Sequence, residues 1–262
     1  MTIAGFLSKR CEREYKQEKK ICNLKKDPFD ARDYQAGVML TSNVEALPLR
    51  CTIKQWAPAV KYQANIGSCG AHGFANAFEL LWKKNKKEDI ATSELWFYYK
   101  TREAMGSLPK DSGIYLRTGA DLLYKSGIAL ERYWEYNTAK FNVEPSWIAD
   151  FSAGFLRRVD SYYRVNSVED MKRAIYEGYP VVFGVYVDKA FCSDTSGYPK
   201  TPQNQVSCEG GHCMIITGYD EKIQRFEVLN SWGQNWGNAG YCMMSYDWIE
   251  KLLIDAWVMK LK

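Results

Sequence analysis

The sequence predicts an α+β fold of two packed halves with a cleft between them. Three observations lead there. Helix-period apolar spacing dominates the first half. Short strand-like runs fill the second. The links between those runs are short enough to favour antiparallel pairing. A length of 262 residues suits one large domain or two small ones.

The strongest helix is predicted over residues 69–84. Ala71, Phe74, Ala75, Phe78 and Trp82 recur at i, i+3, i+4, i+7 and i+11, which buries one face. Lys83, Lys84, Lys86 and Lys87 crowd its end, where cations suit the helix dipole. A second helix is expected over about 93–105 and a third over 112–126, with Gly127 as terminator. Ser167-Val-Glu-Asp170 is a capping-box-like start, and Gly178-Tyr-Pro ends that helix. Strands are expected over 181–187, 214–219, 226–229, 241–245 and 256–261. The domains read as an extension over 1–48, a mainly helical part over 49–135 and a β-rich part over 136–262.

The formal net charge of +4 is concentrated. Lys9 to Asp27 hold 8 basic and 4 acidic side chains, and the rest of the chain carries 27 of each sign. A balanced body argues against nucleic-acid binding through the fold. No apolar run approaches the roughly 18 residues of a membrane helix, and the start lacks a basic n-region, so no signal peptide is evident. The chain therefore reads as intracellular, cytoplasmic or virion-associated. Residues 9–26 are polar on all sides and read foremost as a solvated arm. The alternatives are a short pro-segment, a lid in which Cys11 or Cys22 caps Cys69, a contact with the chain's own active site, or an anchor to an acidic partner.

The eight cysteines contain no Cys-x-x-Cys pair. Cys208, His212 and Cys213 cluster tightly but lack zinc spacing, so neither metal nor cofactor is predicted. Cys192 and Cys208 could close a loop over 193–207.

Cys69 begins the best helix, after Gly67-Ser68. A thiol there faces the positive end of the dipole and unpaired backbone N–H groups, both of which favour thiolate. A cysteine nucleophile needs a base, and the chain has two histidines. His72 is one helical turn from Cys69 and would lie beside the helix, with little room for a peptide carbonyl, so it reads as a packed or surface residue. His212 follows Gly210-Gly211 and enters a strand, which fixes an imidazole firmly. Asn230 ends the strand after it, and one hairpin could bring the two together. An amide oxygen accepting the imidazole N–H would fix tautomer and ring plane. Trp232 could shield that bond from water. Gln63, six residues before Cys69, could join the Cys69 N–H as an oxyanion donor.

The order Gln63, Cys69, His212, Asn230 resembles the papain-like cysteine proteases (the papain/cathepsin family). So do Gly-Ser-Cys69, Gly-Gly-His212 and Asn230-Ser-Trp-Gly-x-x-Trp-Gly-x-x-Gly-Tyr241. Positions 69 and 212 also fall within that family's spacing. The resemblance covers about 49–262. It implies a helical left domain, an antiparallel β-barrel right domain and an active-site cleft between them. It further implies Cys69 as nucleophile, His212 as base and later acid, Asn230 as its orienter and Gln63 in the oxyanion hole. Ser112, Gly113, Gly211 and Trp232 are expected along the substrate path. Two positions depart from the family. Gly70 stands where an aromatic is usual, and Ile66 stands where secreted members carry a disulfide cysteine, a loss that fits a reducing compartment. The function implied is a cysteine peptidase acting on a peptide or protein through an acyl-enzyme. The alternatives are a thiol amidase or transferase of the same architecture, or a catalytically silent peptide-binding module.

Overall fold

A computed structural model describes residues 20–42, 47–154 and 158–261. The expectations for residues 1–19, including Cys11 and most of the basic run, lie outside the described residues.

Helix α1, Cys69–Lys86, is the central element. Residues 69–81 are all buried, whereas the sequence pattern predicted one buried face. The difference arises because strands β3 (Val181–Val187) and β4 (Gly210–Asp220) pack on one side of it. Helices α2 (Glu94–Ala104) and α3 (Leu116–Lys125) pack on the other. Gly73 permits the approach to the sheet, since a Cβ there would sit 2.7 Å from the Cys213 sulfur. Only the last turn reaches solvent, and it carries Lys83, Lys84 and Lys86.

The Ser93 hydroxyl caps α2 by accepting the Trp96 N–H at 3.1 Å, which satisfies one otherwise unpaired helix donor. Helix α3 begins four residues later than predicted because residues 111–115 form a loop facing the cleft, with Gly113 at φ +66°. Helix α4 spans Trp147–Gly154, and α5 spans Val168–Tyr176. Ser167 caps α5 through the Asp170 N–H, as the capping-box-like sequence predicted.

The second half forms a seven-stranded antiparallel sheet with β1 at Arg50–Thr52, β2 at Val159–Arg164, β5 at Arg225–Leu229, β6 at Tyr241–Ser245 and β7 at Leu253–Leu261. The order is β2-β7-β3-β4-β5-β6, and β1 joins β4 where β3 leaves it. The expected closed barrel is therefore corrected to an open sheet. The end strands β2 and β6 do not pair, so no ladder closes the ring. The strand β1 also carries chain from the helical part into the sheet. Helix α6, Lys189–Cys192, follows β3, and α7, Tyr246–Leu252, links β6 to β7. No helix among the described residues is long and apolar enough to cross a membrane.

Candidate active site

The start of α1 meets the start of β4. The backbone N–H groups of Cys213 on β4, of Gly70 and of Cys69 itself lie near the Cys69 sulfur and favour its thiolate. Gly70 leaves room that the side chain of Ile114 fills, because a Cβ at Gly70 would lie 2.6 Å from it. The departure from the usual aromatic is thus matched by packing from the neighbouring loop.

His212 lies beside Cys213 on β4, opposite Val185 of β3. The β4–β5 hairpin pairs Ile215 with Leu229, which brings Asn230 alongside. His212 Nε2 and Asn230 Oδ1 are 2.7 Å apart, and the same oxygen accepts the Ser231 N–H at 2.7 Å. An oxygen that already accepts one N–H must also accept from the ring, so Nε2 carries the proton. The lone pair then resides on Nδ1, which is buried and has no hydrogen-bond partner. Trp232 stacks on the imidazole at 4.2 Å between centroids with 25° between planes. Phe191 and Trp236 close against Trp232, and His212 and Asn230 are both fully buried beneath them.

Gln63 is fully buried and tied to the same corner. Its side-chain N–H₂ donates to the Ile66 carbonyl at 3.1 Å, and its Oε1 accepts the Ser231 hydroxyl at 2.7 Å. The amide is therefore held at both ends, with one N–H engaged. The Tyr136 hydroxyl donates to the Gln63 carbonyl and is 2.7 Å from the Ser68 hydroxyl. His72 is buried on the far side. Its Nδ1 is 3.0 Å from the Ser68 carbonyl and its ring meets Tyr136 edge-on, which matches the packed reading.

A supporting network went unnoticed in the sequence. Lys61 bridges Glu79 and Glu94 in the interior, and Glu79 also accepts from the Thr92 N–H and hydroxyl at 2.7 Å each. A lysine, two glutamates and a threonine on separate elements give no local pattern. Asp111, too, carries no signal of its own in the sequence. Its carboxylate accepts the Gly67 N–H at 2.9 Å and the Tyr98 hydroxyl, while Gly113 N–H donates to that hydroxyl at 3.2 Å. Tyr98 and Asp111 thus bind the cysteine loop to the Gly113 loop. The Ser112 hydroxyl turns inward to Ser107 and the Gly113 carbonyl.

The cleft between these loops holds the chain's own residues 22–25. Asn23 pairs with Gly211 and Lys25 with Tyr115, both in parallel sense. The Leu24 N–H donates to the Gly211 carbonyl at 3.0 Å, and the Lys25 N–H donates to the Ile114 carbonyl at 3.3 Å. Leu24 is 7% exposed and lies against Gly184, Gly211 and Ile254. A Cβ on Gly113 would stand 2.1 Å from the Asn23 carbonyl oxygen, so only glycine lets the segment in. Lys20 sits over the rings of Tyr62 and Trp232 at 5.0 and 5.7 Å. Beyond the cleft, Asp27 accepts from the Arg117 N–H and the Trp257 indole, and its own N–H donates to Asp255 at 2.6 Å. The reading of this stretch as a solvated arm is corrected for residues 20–27. A leucine and a buried aspartate dock it despite the surrounding lysines. Cys22 and Cys69 are both free cysteines in this structure. Cys208 donates to the Asn204 carbonyl, so the loop closure from Cys192 to Cys208 is not formed.

Burial sets the protonation of the covered site. Desolvation pushes the Cys69 thiol up to about 11 and His212 down to about 4. With the cleft filled, the pair is a neutral thiol and a neutral imidazole at pH 7. The helix terminus, expected to favour thiolate, is outweighed by removal of water. Among the described residues, no three or more His, Cys, Asp or Glu side chains converge as metal ligands would.

Residues 45–258 match the family model described as papain family cysteine protease. An uncharacterized peptidase C1-like protein of Acanthamoeba polyphaga mimivirus is 32% identical over 213 residues, covering 76% of this chain and 68% of that protein. A cathepsin L-like proteinase of Fasciola hepatica is 25% identical, covering 80% of this chain and 64% of that protein. Among solved structures, xylellain, a cysteine protease from Xylella fastidiosa, superposes with a TM-score of 0.85 at 29% identity. The match covers 94% of this chain and 98% of that one.

Proposed function

The chain belongs to the papain family of cysteine proteases, and from that premise we propose that it hydrolyses peptide bonds with Cys69 as nucleophile and His212 as its base. The observation that carries this reading is the His212 tautomer. Asn230 Oδ1 accepts the ring proton on Nε2 and leaves the unpartnered Nδ1 as a buried basic atom beside Cys213, whose backbone N–H lies near the Cys69 sulfur.

Once the cleft opens, water lowers the desolvation that holds both groups neutral. The thiol proton then passes to Nδ1, and the thiolate is stabilised by the three backbone N–H groups at the start of α1 and on β4. The thiolate adds to the peptide carbonyl. The oxyanion receives the Cys69 N–H and the second N–H of Gln63. The imidazolium returns its proton to the leaving amine, and water, deprotonated by the same Nδ1, releases the acyl group. The backbone of Gly113 and the Gly211 carbonyl, which now face residues 23 and 24, would take the substrate backbone. Trp232 shields the His–Asn bond, and its ring, which Lys20 of the segment now overlies, lies along the substrate path.

The test is hydrolysis of a quenched fluorescent peptide library by the full chain under reducing conditions. Cys69→Ala and His212→Ala should each abolish turnover, while His72→Ala in folded protein should retain it. Turnover by Cys69→Ala would overturn the nucleophile. Loss confined to His72→Ala would move the base.

A further inference from the structure

We infer that Tyr62 and Trp232 form a subsite for a basic side chain on the leaving-group side of the bond that is cut, so that the preferred substrate carries lysine or arginine there. The place of the subsite relative to the cut bond rests on the peptidase reading; the capture of a cation by the two rings does not.

The chain's own Lys20 shows the fit. Its ammonium nitrogen lies 5.0 Å from the centre of the Tyr62 ring and 5.7 Å from that of Trp232. Both distances fall inside the roughly 6 Å over which the negative face of an aromatic ring attracts a cation. Lys20 and Tyr62 are half-buried and Trp232 is buried, and partial removal of water strengthens such an attraction.

The pair of rings is also preformed. Tyr62 and Trp232 oppose each other in an antiparallel bridge. The Gln63 N–H donates to the Ser231 carbonyl at 2.8 Å, and the Gly233 N–H donates to the Lys61 carbonyl at 3.0 Å, so the two backbones are fastened on both sides of the bridge. Lys61 is paired with Glu79 and Glu94, which neutralises its repulsion of an incoming cation. Trp232 is fixed further by its stacking on His212 and by Phe191 and Trp236. Groups held this rigidly lose little freedom when they receive a side chain.

The path of the segment gives the subsite its position. Asn23 lies at the centre, where a Cβ on Gly67 of the cysteine loop would be 2.2 Å from its side chain. Leu24 lies to one side, against Gly184, Gly211 and Ile254, and Lys20 lies to the other, at Trp232. Trp232 stacks on the imidazole that returns its proton to the leaving amine. The residues after the cut bond therefore pass over this ring, and their side chains meet the place that Lys20 now fills. A carboxylate there would face the negative side of both rings and be disfavoured.

Two readouts on the full chain test this. In the first, a peptide cleaved from a library is remade with lysine, arginine, norleucine or glutamate at the first or second residue after the cut bond. At one of these positions kcat/KM should be about 3- to 10-fold higher for lysine or arginine than for norleucine, which lacks the charge, and lowest for glutamate. Tyr62→Leu should bring the lysine-to-norleucine ratio close to one, and Tyr62→Phe should preserve it. The ratio in the native chain needs no variant, so it decides the matter should Tyr62→Leu fail to fold. In the second, alkylation of Cys69 by iodoacetamide is followed under reducing conditions without substrate. Lys20→Met should speed it about 2- to 5-fold in the native chain and hardly at all in Tyr62→Leu. A native ratio near one at both positions, a ratio that Tyr62→Leu does not move, or equal acceleration by Lys20→Met in both backgrounds would overturn the subsite. Coupling of Lys20 to Tyr62 in a chain that cleaves no peptide would sink the peptidase reading and leave the capture of a cation standing.

Discussion

Replacing Leu24 by Ala should open the cleft without touching any catalytic atom. Leu24 is the main apolar anchor of the segment in the cleft, buried against Gly184, Gly211 and Ile254. Two glycines in that wall leave a depression that alanine cannot fill, so both transfer and cavity terms apply. A Leu→Ala change in a fixed core costs about 2–5 kcal/mol. A docked segment can relax, so about 2–3 kcal/mol is the appropriate range. At about 1.4 kcal/mol per factor of ten, this raises the open fraction about 30- to 160-fold until the open form dominates. The assay is the rate of Cys69 alkylation by iodoacetamide under reducing conditions, because Cys69 is fully buried with the segment in place. The expected outcome is a rate increase of that size with an unchanged melting temperature for the body of the fold. A change of less than about threefold in folded protein would refute the idea that residues 22–25 govern access to Cys69.

Two further outcomes follow from the same geometry. Asn230→Ala leaves the His212 Nε2–H without an acceptor in a site closed by Trp232. A buried donor left unpaired costs about 1–3 kcal/mol, so kcat/KM should fall about 5- to 160-fold with little change in peptide affinity; steady-state kinetics on one good peptide measures this. Burial also depresses His212 from 6.5 to about 4. The unfolded chain binds a proton at this residue between those values and the folded chain does not. Stability from neutral His212 is therefore complete above about pH 6.5 and is lost as pH falls toward 4, by at most about 3 kcal/mol. The difference in urea-unfolding free energy between the native chain and His212→Gln across pH 4–7 should show that slope, whatever the opposing contribution of Asp27 and Glu131, whose carboxyls burial raises.

How much of the site was legible can be seen from particular residues. Cys69 announces itself by opening the strongest apolar period, His212 by the two glycines before its strand, and Asn230 by closing the next strand ahead of a Trp-Gly turn. These are local signals, within one element or one hairpin, and the 2.7 Å contact between His212 and Asn230 follows from hairpin register. The late start of α3 was not legible, because the Gly113 loop takes its shape from Tyr98 and Asp111 on other elements. The Lys61–Glu79–Glu94 bridge was hidden for the same reason: charged residues are ordinarily solvated, and only packing turns these three inward.

By itself, the sequence determined the class of fold and the family, and it singled out the candidate site residues in their order. Each depends on patterns that recur over a few residues and survive without knowledge of the rest. Tertiary structure alone decided three other things. It left the sheet open, because closure depends on whether β2 meets β6. It drew residues 20–27 into the cleft through partners such as Asp255 and Gly211, two hundred residues away in a chain whose local composition spelled a solvated arm. And it set the charge of the proposed catalytic pair, because the protonation of Cys69 and His212 follows from their burial, which no local pattern in the sequence reveals.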